Sequence, residues 1–153
     1  MNGSPAITLS LVMFLAGIGI PVMAALNGGL GARLGNPAEA ATILFAVAFV
    51  ISVFVLVIQP KPIAFSFSAV PTHYFGGGLF VAFYVVSVTF IAPIIGVGNA
   101  IVLVLLGQTL ASALIDHFGL LGAKQLALTP VRCVGLTLIA VGVLLASKTN
   151  DTA

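Results

Sequence analysis

Residues 99–118 (Asn-Ala-Ile-Val-Leu-Val-Leu-Leu-Gly-Gln-Thr-Leu-Ala-Ser-Ala-Leu-Ile-Asp-His-Phe) set the terms for the whole chain. The stretch is long and apolar enough to cross a bilayer, whose hydrocarbon core takes about 20 helical residues. It nevertheless carries Gln108, Ser112 and Asp116 at successive i, i+4 spacings, which puts all three in one column on a helix. Thr109 lies beside that column, and Gly107 and Ala111 form a neighbouring ridge of small residues. Polar groups are costly in hydrocarbon, so the column is expected to face other protein or a wet cavity rather than lipid.

Little in the remaining sequence would hold a water-facing surface. Charged residues make up 5% of the chain and hydrophobic ones 61%, with a mean hydropathy of +1.31, whereas a soluble domain has roughly a quarter of its residues charged. This is the composition of an integral membrane protein. The pI of about 9.0 rests on five basic and three acidic side chains, which form no basic patch of the kind nucleic acid requires. Cys133 is alone, so an intrachain disulfide or a cysteine-rich metal site is impossible; it is expected to pack as a small apolar residue near a helix end. Three acidic residues and two histidines also make a metal site within one chain improbable, and no cofactor is implied. No Gly-x-Ser-x-Gly, His-Glu-x-x-His or phosphate loop points to an enzyme.

Five spans follow in order, at about 7–27, 37–58, 71–91, 97–117 and 130–147, giving one all-α transmembrane domain over residues 1–153. The first has no Lys or Arg before it and exceeds the apolar core of a signal peptide, so it reads as a retained span. Pro21 predicts a kink or local opening inside it, and Gly17 and Gly19 would admit a neighbouring helix. Asn27-Gly-Gly-Leu-Gly31 is expected to break that helix and leave Arg33 in the loop. The second span opens on Asn36, Pro37 and Glu39, an N-cap, a first-turn proline and a carboxylate at capping-box spacing. Gln59-Pro-Lys-Pro62 stops it, and residues 63–70 read as an interfacial connector. Gly76-Gly-Gly78 near the start of the third span suggests a tight helix contact or a flexible point. Residues 93–98 are expected to turn into the fourth span, 120–129 to lie outside lipid, and 149–153 to form a frayed tail.

An odd number of spans puts the termini on opposite sides. Lys61, Lys124 and Arg132 then fall on the side of the N-terminus, and Arg33 and Lys148 on the other. The Lys/Arg bias that sets orientation is therefore one residue. It slightly favours the N-terminus inside, and insertion in both orientations stays open.

The chain resembles the half-size, five-span YdcZ-type (DUF606) exporters of the drug/metabolite transporter superfamily. The resemblance is carried by Asn27-Gly-Gly-Leu-Gly31, Leu34-Gly-Asn-Pro37, Ala40-Ala41, Tyr84-Val-Val-Ser87, Pro93 with Gly96, Gly107-Gln108, Asp116-His-Phe-Gly119 with Gly122, and Leu128-Thr-Pro130 with Arg132. It departs at Ile94, where the family tends to have a basic residue, and at Leu44-Phe45 and Ala48 in the second span. The resemblance implies a multi-pass protein of the inner (cell) membrane that is half of an inverted-repeat transporter. Such a half would have to pair, as an antiparallel homodimer or with an oppositely oriented partner chain, around a site near the bilayer midplane.

The polar residues are then weighed as follows. Gln108 is either interhelical glue, worth about 1 kcal/mol, or a substrate contact, with Ser112 beside it. Asn27 reads as a helix-end cap or a substrate contact, and Tyr84 as a cavity wall or an interfacial aromatic. Glu39 is a capping residue at the favourable end of its helix, or a proton-coupling carboxylate. Asp116 sits at the unfavourable C-terminal end of a helix, so local structure does not explain it; with His117 it is the best proton-coupling pair, near a membrane face. In an antiparallel dimer, Asp116 of one chain would share a face with Asn27 and Glu39 of the other. The expected function is export of a small neutral, zwitterionic or weakly amphiphilic molecule by alternating access. The alternatives are a non-transporting accessory or scaffold subunit, and a channel.

Overall fold

Gly35 and Asn36 end one helix and begin the next. The structure, a computed structural model, describes residues 3–61 and 70–148; the connector expected at 63–70 falls outside them except for Val70, and so does the tail at 149–153. Five long helices follow one another: α1 (Gly3–Leu34), α2 (Pro37–Ile58), α3 (Gly77–Ile95), α4 (Val97–Phe118) and α5 (Pro130–Lys148), with 3-10 turns at Thr72–Gly76 and Leu120–Gly122. All five, α3 together with the turn before it, are long and apolar enough to cross a membrane. The protein is all-α and multi-pass. The chain divides into two compact units, residues 1–94 and 95–153.

In the first unit α1 runs on through Asn27-Gly-Gly-Leu-Gly31 to Leu34, with Arg33 in its last turn. This corrects the expectation that the glycines break the helix. They serve close approach instead: a Cβ at Gly28 would lie 3.3 Å from Pro93 Cγ, and one at Gly31 would lie 3.1 Å from Pro37 Cα. The break comes at Gly35, whose φ of +70° is the left-handed conformation that ends helices. The Asn36 N–H then reaches back to the Gly31 carbonyl at 3.1 Å, closing a Schellman turn. Asn36 also caps α2, its Oδ1 accepting from Ala38 N–H at 3.0 Å, with Pro37 in the first helical position. One residue thus finishes α1 and starts α2.

One further expectation changes. The third helix passes through Pro93 and stops only at Ile95, because the backbone turns at Gly96, where φ is +89°. A Cβ added at Gly17, Gly19, Gly76, Gly77 or Gly78 would meet nothing of the described chain within 4 Å, so none of these glycines marks an intrachain contact. Helix α1 is continuous through Pro21.

The buried apolar residues among those described are all Ala or Val: Ala24, Ala40, Ala41, Val85, Val88, Ala92, Ala100, Ala113 and Val143. Many of the large side chains face outward, as Phe49, Phe80 and Phe83 do, and others such as Leu44 and Phe45 are half-buried. Helices in lipid gain little by hiding Leu or Phe from hydrocarbon, and pack instead where small residues let backbones approach. Cys133 is exposed and is not packed as the sequence suggests.

Candidate functional site

The second unit holds the polar column of α4. Along this helix almost every polar side chain is already engaged. Asn99 Nδ2 donates to Ile95 O at 2.9 Å, Thr109 Oγ1 to Leu105 O at 2.9 Å, and Ser112 Oγ to Thr109 O at 3.0 Å. Short hydroxyl side chains can turn back on their own helix in this way. Gln108 makes no hydrogen bond among the described residues, and both Gln108 and Ser112 are exposed in the single chain.

At the end of the column, Asp116 Oδ2 accepts from Arg132 Nη2 of α5 at 2.6 Å. The two side chains are 28% and 33% exposed. Each is badly placed for its own helix, a carboxylate at a C-terminus and a guanidinium in a first turn. Each supplies the counter-charge the other lacks. It is Arg132, and not His117, that engages the carboxylate of Asp116.

His117 ties down the chain after α4. Its Nδ1 accepts from Leu128 N–H at 3.1 Å, its carbonyl accepts from Gln125 Nε2 at 3.2 Å, and the Asp116 carbonyl accepts from Leu126 N–H at 2.8 Å. The last carbonyls of a helix have no partner within it, and this folded-back segment supplies partners. Gly119 at φ +61° allows the reversal. Thr129 Oγ1 accepts from Arg132 N–H at 3.2 Å and caps α5 ahead of Pro130, so Leu128-Thr-Pro130 is a helix start.

In the first unit Asn27 is 5% exposed and Thr89 of α3 is 2% exposed. Asn27 Nδ2 donates to Thr89 Oγ1, which itself donates to Val85 O at 2.7 Å. Asn27 is a mid-helix link between α1 and α3 and not a cap. It also lines a groove between α1 and α2 of about 680 Å³, walled by Val22, Met23, Leu26, Leu30, Val47 and Ile51 among others. Tyr84 is half-buried, with its hydroxyl buried and without a hydrogen-bond partner among the described residues. Glu39 Oε1 accepts from Asn36 Nδ2 at 2.9 Å. It takes the side-chain amide because the Asn36 backbone N–H is already given to Gly31. Among the described residues no three His, Cys, Asp or Glu are grouped so as to hold a metal ion.

The Thr89 hydroxyl is the one that Asn27 depends on. Thr89→Val should leave the buried Asn27 amide short of an acceptor, at a cost of about 1–3 kcal/mol. Asn27→Leu should cost less, since Thr89 keeps its bond to Val85. Thermal unfolding in detergent should therefore place Thr89→Val below Asn27→Leu; the reverse order would show that packing, and not the amide, dominates there.

Sequence reasoning missed Thr89 and Arg132 as partners. Thr89 shares its apolar run with Ser87, and nothing local tells which of the two hydroxyls meets Asn27. Arg132 had a local clue: it is a cation at the wrong end of its helix, as Asp116 is an anion at the wrong end of the helix before it.

No curated protein and no solved structure matches the sequence. A family does: the one described as "Putative inner membrane exporter, YdcZ", over residues 8–145. The match takes in all five helices, the Asn36 junction and the Asp116–Arg132 pair, and it is a transporter family and not an enzyme family. This chain, with five helices among its described residues long and apolar enough to cross a membrane, belongs to the YdcZ family so described.

Proposed function

We propose that the protein exports a small neutral, zwitterionic or weakly amphiphilic molecule by alternating access, as an antiparallel homodimer. The observation that carries this reading is Gln108, a carboxamide in the middle of a membrane-crossing helix with its hydrogen-bonding capacity unspent. Every charged residue of the described chain lies at a helix end or in a connector, so the middle of the membrane offers amide and apolar surface and no fixed charge. A full ion would find no counter-charge there. In the first unit, taken by itself, the groove between α1 and α2 is apolar and of a size that suits small molecules, which occupy sites of about 300–1,000 Å³. The one-residue Lys/Arg bias supports insertion in both orientations, which an antiparallel pair needs.

Reconstitution tests this. Purified protein in proteoliposomes should carry labelled amphiphilic or zwitterionic compounds at a rate that saturates with concentration. Flux that never saturates would indicate a channel, and no flux of any compound, with the protein folded, would indicate an accessory subunit.

A further inference from the structure

The position of Gln108 within α4 says more than that it is exposed. Eleven residues of the helix precede it and ten follow it. The 22 residues of α4 are about 33 Å long, close to the roughly 30 Å of the hydrocarbon core. The polar residues Asp116 and His117 mark one water boundary, and Gln108 lies near half depth.

Half depth has a special meaning for two copies of opposite orientation. A two-fold axis lying in the membrane plane leaves only residues at the middle of the bilayer at the same level in both copies. All others meet a residue on the far side of the midpoint. A carboxamide suits that place, because it carries a donor and an acceptor and is therefore self-complementary. The neighbours suit it as well: Leu105, Ala111 and Ser112 are exposed on the same face as Gln108 in the single chain, and Gly107 and Ala111 leave room for a close approach.

We infer that the occupant of this face is the α4 of a second copy, and that the two Gln108 carboxamides face each other across the two-fold axis as the shared polar centre of the site. Each copy contributes half, so a single chain has no complete site. The pair offers two NH2 groups and two carbonyl oxygens in symmetric array, enough to meet each other and still bind an uncharged substrate bearing both kinds of group. This inference rests on the antiparallel dimer proposed above. The register follows directly: position 104 meets 112 of the other copy, 105 meets 111, and 101 meets 115.

Cysteine cross-linking in native membranes reads this register. In a Cys133→Ala background, Gln108→Cys should join to itself with a short bis-maleimide. Val104→Cys co-expressed with Ser112→Cys should join to each other, and Ser112→Cys alone should not self-join. Self-joining of Ser112→Cys without the 104–112 product would mean parallel copies and would overturn the inference. If no α4 pair joins although light scattering gives a dimer mass, the α4 axis is wrong and the dimer reading survives. A monomer mass with no product removes both.

Discussion

Gln108→Leu is expected to lower flux through reconstituted protein at least about tenfold, a loss of about 1.4 kcal/mol, while helix content and oligomeric mass stay as they were. The two side chains are similar in length and in helix propensity, and Gln108 holds nothing together within the described chain. What the change removes is the one uncommitted hydrogen-bonding group in the middle of α4. A substrate group that leaves water and finds no partner costs about 1–3 kcal/mol, which covers the expected loss. Gln108→Asn keeps the amide on a shorter stem and should fall between parent and Leu. Unchanged flux in the Leu variant would take Gln108 out of the site.

A second large effect is expected where α4 and α5 meet. Arg132→Ala strands a carboxylate at the negative end of the α4 macrodipole, and Asp116→Ala strands a guanidinium at the positive end of α5. Hydrogen bonds to charged groups are worth about 1.5–3 kcal/mol, and partial exposure of both partners places each single variant toward the lower figure. The exchange Asp116→Arg with Arg132→Asp is the informative variant. It re-forms the pair and puts each charge at the end its own helix prefers, adding about 0.3–1 kcal/mol per site. The unfolding temperature should fall for both single variants and return to the parent value or above it for the exchange. An exchange variant less stable than either single one would mean that the orientation of the guanidinium fork, and not charge, holds the contact. Net charge is unchanged by the exchange, although the cation moves between connector ends on the same membrane side, so insertion should not be affected.

These two sites show what a sequence can reveal about such a chain. Asn36, Pro37 and Glu39 are legible because capping is local: three positions within one turn contain the whole interaction. The five helices are legible because a bilayer demands long apolar runs. Gln108 is recognisable as an oddity for the same reason. The fate of Asn27-Gly-Gly-Leu-Gly31 is not legible, since glycine is both a helix breaker and a contact residue. Which role applies depends on Pro37 and Pro93, and Pro93 lies far along the chain. Asp116 is visible as a misplaced charge, but its partner lies 16 residues on, beyond a connector whose reversal depends on Gly119 and on three backbone and side-chain bonds to the end of α4.

The junction at Asn36 also limits how the protein can move. Its backbone N–H closes α1 while its side chain opens α2, and no slack residue separates the two tasks. Rotating α1 against α2 would have to undo both at once. The pair is therefore a stiff elbow: in the alternating access proposed above, any motion that keeps both bonds carries α1 and α2 as a single lever.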